Sequence, residues 1–210
     1  MADKTIKRPP PTTQERQVLD YIGQFESGGD YNIIYSGYKK GLEKPLTQMT
    51  IKEVLELQEK MKSSGSSAVG AHQFINSTLK EEVDNQNIDE NSLFTADLQD
   101  DLIITRLKRV RGLNKFLNGK LGTHEFAKNL SKEFASLPNP ETGSSYYDKD
   151  GLNKSLTDTE DVLTTLDKIK YGDDYAPTAP AVSPDMEGYT PNPVTQFQPS
   201  LISQFSELNQ

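Results

Sequence analysis

Thr12-Thr13-Gln14-Glu15-Arg16-Gln17-Val18-Leu19-Asp20-Tyr21-Ile22-Gly23-Gln24-Phe25-Glu26-Ser27-Gly28-Gly29 is the stretch from which the rest of the chain is best read. Thr12 followed by Glu15 is a capping-box pattern, in which each side chain satisfies the other's free backbone N–H. Val18, Leu19, Ile22 and Phe25 then fall on one helical stripe. Gly28-Gly29 must end that helix, because glycine reaches left-handed backbone angles without steric cost. The helix therefore delivers Glu26 at its C-terminal end. There a carboxylate faces the negative pole of the helix dipole, and crowding by apolar groups would disfavour its charge further. A carboxylic acid still protonated near neutral pH can act as a general acid. Against this, Glu26 is one of 31 acidic residues, most of which belong to a solvated surface.

The same kind of signal recurs downstream. Thr50 with Glu53 predicts a second helix carrying Ile51, Val54, Leu55 and Met61, followed by the polar loop Ser63-Ser64-Gly65-Ser66-Ser67. Thr95 opens a third, with Asp97, Asp100 and Asp101 early and Arg106, Lys108, Arg109 and Arg111 late, matching the helix dipole, and Gly112 closing it. Thr123 opens a fourth, with Phe126, Ala127, Leu130 and Phe134 on one face and Pro138 at its end. Thr157 with Glu160 opens a fifth, carrying Val162, Leu163, Leu166 and Ile169 up to Gly172. Tyr31–Tyr35 and Val69–Ile75 read as short strands or extended loops. There is no internal repeat.

Composition bounds the ends of the chain and the chemistry. Of 210 residues, 23 are Lys or Arg and 31 Asp or Glu, a net charge of −8. Residues 171–210 hold five acids and no Lys or Arg, so −5 of that charge lies there and −3 on the remainder. They also hold six of the twelve prolines, which predicts an extended acidic tail. Pro9-Pro10-Pro11 makes a stiff leader. The expected organisation is an extended basic, Pro-containing arm over residues 1–11, one domain over 12–171, and an acidic Pro-rich tail over 172–210. Absence of Cys excludes disulfides and thiolate zinc sites. No metal-ligand spacing and no membrane-length apolar run is present, and Lys4, Lys7 and Arg8 lack the apolar core of a secretory signal. An acidic chain of this kind is not expected to hold nucleic acid.

Two further stretches carry candidate chemistry. Ser66-Ser67-Ala68-Val69-Gly70-Ala71-His72-Gln73-Phe74-Ile75 brings small residues to a backbone able to approach a ligand, with His72 and Gln73 as polar edges; a plain loop reads equally well. Gly143-Ser144-Ser145-Tyr146-Tyr147 places two tyrosines on a Gly/Ser loop, suited to sugar stacking or, for one of the two, to pinning the loop. Asp148-Lys149-Asp150-Gly151 lacks the later glutamate of a calcium loop.

Taken in order, these pieces resemble the lambda-type phage lysozyme-like muramidases and lytic transglycosylases. The resemblance spans about residues 14 to 170. It rests on Glu26-Ser27-Gly28-Gly29, Leu46 through Val54, Ser67 through Ile75, Phe94 through Leu98-Gln99-Asp100, Ala135-Ser136-Leu137-Pro138, and Tyr147 through Lys154. It implies a mainly α, lysozyme-like, two-lobed domain with a small β element beside a long cleft. Glu26 would be the catalytic acid, with Ser27, Asn32, Gly70, His72, Gln73, Tyr146 and Tyr147 against the substrate. Relatives often carry Tyr or Arg where this chain has His72, so only cleft lining is implied for it. Neither cofactor nor metal is implied.

The implied activity is cleavage of peptidoglycan glycan strands between MurNAc and GlcNAc. A single evident acid favours transglycosylation by the sugar's own 6-hydroxyl over hydrolysis, which normally needs two carboxylates; Asp30 is the nearest second candidate. The expected setting is a phage particle, with residues 172–210 docked on other phage structural proteins through singly spaced apolar residues such as Phe197, Leu201 and Phe205. The alternatives are a free endolysin in the host cytoplasm before lysis and a catalytically silent structural virion protein. A secreted bacterial wall enzyme is disfavoured by the lack of a signal peptide. No membrane partner is expected.

Overall fold

A computed structural model describes residues 9–148 and 154–173 of the chain. Residues 174–210 of the expected tail, residues 1–8 of the basic arm and the segment 149–153 therefore lie outside the described residues. What is described is mainly helical, with seven α-helices.

Helix α1, Thr13–Glu26, begins as its sequence requires: the Thr12 side chain accepts from the Glu15 N–H, and the Glu15 carboxylate accepts from the Thr12 N–H at 3.0 Å. Helix α2, Ile51–Met61, repeats the device with Thr50 and Glu53. Helix α4, Ala96–Arg106, is capped by Thr95 and runs on into a π-helical segment, Leu107–Arg111. Gly112 ends that segment in the left-handed region, at φ 80°.

Four features differ from the sequence reading. Helix α6, Thr123–Ser131, has Gly122 rather than Thr123 at its N-cap and stops short of Pro138. Beyond it the chain turns so that Phe134 and Leu137 enter the core while the Glu133 carboxylate meets Arg106 at 2.5 Å and Arg111 at 2.8 Å. Tertiary anchoring overrides helical continuation there. Helix α7, Thr159–Tyr171, is capped by Asp158, whose carboxylate accepts from the Asp161 N–H; Thr157 instead donates its hydroxyl to Asp161.

Helix α3, Asn76–Gln86, carries no apolar stripe: Asn76, Glu82 and Gln86 are as buried as Leu79 and Val83. Its polar inner face is matched by basic residues of the α4 end. Glu82 is wholly buried and pairs with Arg106 at 2.9 Å and with Arg109. A fourth addition is the short helix α5, Leu113–Leu117, whose Phe116 ring stacks on Phe126 at 4.3 Å.

The small β element is reduced to isolated bridges among the described residues, Ile34 with Val69 and Val69 with Phe74 being those near α1. The core joins Val18, Leu19 and Ile22 of α1 to Val162, Leu166 and Ile169 of α7, with Phe74 and Phe94 buried between α2, α4 and the 67–74 loop. That loop crosses the interior without a sheet to satisfy its backbone. Backbone bonds across Val69–Phe74 and to Ile33 and Tyr35 do part of this, and two buried amides add to them. The Gln58 side-chain N–H₂ donates to the carbonyls of Ser67 at 2.9 Å and Phe74 at 2.7 Å. The Gln99 side chain accepts from the Ala71 N–H at 3.0 Å and donates to the carbonyls of Tyr31 and Phe94, both at 3.1 Å.

Gly70 sits at φ 74°, and a Cβ there would fall 2.3 Å from the Gln99 amide oxygen. Gly70→Ala combines a strained backbone with a buried clash, so it should destabilise the fold by about 2–4 kcal/mol. Denaturant unfolding measures this; a loss under about 0.5 kcal/mol would mean that Gln99 is not the clamp described.

Candidate active site

Glu26 is the last residue of α1 and is half-buried. Its turn is closed by Ser27, whose N–H and hydroxyl both donate to the Gly23 carbonyl, at 3.0 and 3.2 Å. The Gly29 N–H then donates to the Ser27 hydroxyl at 3.0 Å. Gly28 and Gly29 have φ of 65° and 82°, so the chain leaves the helix in a left-handed turn that ordinary residues resist. Ser27 thus serves the helix end.

Burial raises the Glu26 carboxyl above the ordinary glutamate range, and a short hydrogen bond donated by the Ser136 hydroxyl pulls it only partly back. Among the described residues no Lys, Arg or His pairs with it, and no second carboxylate acts on it. The helix dipole disfavours the anion in the same direction as burial. An acid in these surroundings holds its proton to higher pH than its neighbours on the surface. Ser136 is a partner that local sequence chemistry did not single out. It lies beyond the α6 turn, and its own carbonyl accepts from the Leu156 N–H at 2.7 Å.

Beside the end of α1 opens a shallow cleft of about 190 Å³, lined among others by Asp20, Gln24, Gly28, Gly29, Tyr31 and His72. Of the expected site residues, His72 is on its wall and Gly70 and Gln73 are in the adjoining turn, whereas Glu26, Ser27, Tyr146 and Tyr147 are not among the residues that line it. Gln73, at φ 49°, donates its side-chain N–H₂ to the Gly70 carbonyl at 2.9 Å. Asn32 spends its side-chain oxygen on the Thr47 N–H and hydroxyl, both at 3.0 Å, and so fixes the turn at 46–48. Asp30 is exposed and accepts from the Asn32 N–H at 2.8 Å within its own turn. Tyr146 and Tyr147, directly after the 138–145 loop, pack edge to face at 5.3 Å. Tyr147 pins that loop by donating to the Lys132 carbonyl at 2.7 Å, while Tyr146 is 51% exposed.

A second buried carboxylate sits behind the cleft wall. Asp100, from α4, accepts from Arg16 at 2.5 Å, from the Tyr31 hydroxyl at 3.1 Å and from His72 Nε2 at 2.7 Å. Burial alone would raise its carboxyl; the hydrogen bonds and charges of His72 and Arg16 outweigh this and hold it below the usual aspartate range. Among the described residues, no group of three or more His, Asp or Glu side chains is placed to hold a metal.

No family model, curated protein or solved structure matches the chain.

The Ser136 hydroxyl stabilises the ionised form of Glu26, so Ser136→Ala should raise the Glu26 pKa further. The folded-state value already lies above the unfolded one, so Glu26 lends stability that is complete below the unfolded pKa and is lost as pH rises through the folded pKa. Glu26→Gln, neutral throughout, escapes that loss and should melt above the parent at pH 7. Carboxyl-carbon NMR titration and melting curves test both; a downward shift in Ser136→Ala would refute the assigned hydrogen-bond role.

Proposed function

We propose that the protein cuts peptidoglycan glycan strands at the MurNAc–GlcNAc bond as a lytic transglycosylase, with Glu26 as its single acid. The observation that carries this reading is the surroundings of Glu26: a half-buried carboxyl, raised in pKa, at the end of the helix whose Gly28 and Gly29 line a cleft, with Ser136 as its hydrogen-bond partner and, among the described residues, neither a cation nor a second carboxylate acting on it.

Glu26 donates its proton to the glycosidic oxygen as the C1–O bond breaks. The resulting carboxylate accepts the proton of the muramoyl 6-hydroxyl, whose oxygen forms the new bond to C1. The product is a 1,6-anhydromuramoyl end and a free GlcNAc 4-hydroxyl, and the acid is regenerated. Water attack would need a base at a suitable distance across the sugar. Asp30 is the first suspect for that role, but its carboxylate is engaged in its own turn. The lysozyme-like architecture and the long glycan cleft implied by the motif order belong to the same proposal. So does sugar stacking on Tyr146, which the exposure of that ring supports.

General-acid catalysis contributes at least about a hundredfold. Glu26→Gln should therefore lose at least about a hundredfold in glycan cleavage while folding normally, and mass analysis of parent digests should find anhydro ends. Cleavage by the Gln variant at the parent rate would remove the reading altogether. Reducing ends would retain Glu26 and replace transglycosylation by hydrolysis.

The setting we propose is a phage particle, with the acidic, Pro-rich residues 172–210 as the docking segment. A −5 segment is repelled by a polyanionic wall, and its singly spaced apolar residues suit an extended strand laid along protein grooves. The protein should then be found in purified virions at a fixed copy number. Its presence only in the cytoplasm of cells late in infection would identify a free endolysin instead, and particles containing an inactive chain a structural protein.

A further inference from the structure

Gly23 stands inside α1, one turn before its end, and its φ is not positive. Glycine at such a position makes a helix less stable than alanine would. Close packing is the usual reason for one, and it does not apply here: a Cβ on Gly23 would meet no atom within 4 Å. Yet Gly23 is buried, and it lines the cleft of about 190 Å³. The room left by its missing side chain is therefore room in the cleft. Its carbonyl is already taken by the Ser27 N–H and hydroxyl and by the Gly29 N–H. What Gly23 offers a ligand is its Cα hydrogens, an apolar contact.

The rest of the lining divides by chemistry. Leu19 and Ala71 are apolar, and the Tyr31 ring is fixed by its hydroxyl, which donates to Asp100 at 3.1 Å. His72 is committed to Asp100 as well. Asp20 and Gln24 differ. They stand one helical turn apart on α1, both exposed, with no hydrogen bond or ion pair to any of the described residues. Apolar surface with an aromatic ring, edged by a free carboxylate and a free amide, matches a pyranose, which has apolar C–H faces and a rim of hydroxyls. Asp20 can only accept, whereas Gln24 can donate and accept. The unpaired charge of Asp20 also opposes a sugar that carries carboxylates.

We propose that this part of the cleft is a saccharide site separate from Glu26, which does not line it. It takes one neutral pyranose unit, GlcNAc rather than the acid-bearing muramoyl peptide unit. Asp20 and Gln24 bind its polar edge, and Gly23 makes room for its apolar face. This rests on the glycan reading above and adds to it a second contact with the strand.

Three substitutions on α1 test it in the full chain, with ¹H–¹⁵N spectra following titration by chitin tetrasaccharide. The Gly23, Gly28 and Gly29 amides and the Gln24 side-chain N–H₂ should shift. Gly23→Ala should raise the melting temperature by about 1–4 °C, because alanine favours the helix and meets no clash. It should also weaken tetrasaccharide binding at least about tenfold, because its methyl fills the space of the sugar. Asp20→Ala and Gln24→Ala should each weaken binding by about three- to tenfold without lowering the melting temperature. Glu26→Gln should bind as the parent does.

A Gly23→Ala protein that binds as well as the parent overturns the proposal. So does one that melts lower, which would make Gly23 a packing residue. Equal shifts with N-acetylmuramic acid, whose lactyl carboxylate is free, overturn the choice of a neutral sugar. Peptidoglycan cleavage without tetrasaccharide shifts at these amides removes the site and leaves the catalytic reading. Shifts in a parent that cleaves nothing keep the site and remove that reading.

Discussion

A loop that passes through a protein interior has to find partners for its backbone, and residues 67–74 do so with little β-ladder pairing. Two isolated bridges and two buried glutamines perform the task. Gln58 reaches from α2 to both ends of the loop, and Gln99 reaches from α4 to its middle and to the Tyr31 strand-like segment. The cleft wall therefore depends on side-chain amides as well as on a few backbone bonds. This explains why Gly70 has to be glycine: the oxygen of Gln99 occupies the space where a Cβ would be.

Two carboxylates then acquire opposite characters from opposite surroundings. Asp100 is surrounded by donors, two of them carrying or able to carry positive charge, and stays ionised deep in the fold. Glu26 has a serine hydroxyl and a helix C-terminus, and its charged form is disfavoured. Environment alone thus separates the acid strengths of two carboxyls within one fold. The contrast comes from neighbours that are distant in sequence, Ser136 in one case and Arg16, Tyr31 and His72 in the other.

That distance marks the limit of what the chain reveals before it folds. The capping boxes at Thr12 and Thr50 and the glycine stops at Gly28 and Gly112 were legible because their chemistry is complete within a few residues. Glu26 was legible for the same reason, since a helix end and a Gly-Gly exit define its position. Helix α3 was not. Its inner face is Asn76, Glu82 and Gln86, which looks solvated until Arg106 and Arg109 arrive from α4. Asp100 misled in a similar way. It satisfies the dipole pattern of its own helix and yet turns inward to three partners from other segments. Asn32 and Tyr147, which read as ligand-facing groups, make hydrogen bonds that anchor loops.

The same buried ion network bears on the acid. Glu133 binds Arg106, which precedes the π-helical segment, and Arg111, its last residue, and lies three residues before Ser136. A buried pair of this kind contributes little net stability over apolar packing, because desolvation offsets much of the attraction. Its physical yield is placement. The end of α4 and the π-helical turn present Arg106 and Arg111 to one carboxylate, the carboxylate anchors the chain beyond α6, and the chain is turned so that Ser136 reaches Glu26. An unpaired acid can be kept protonated by burial alone; fixing the orientation of its carboxyl requires a partner with a fixed position, and the arginine–Glu133 cluster holds the turn that supplies Ser136.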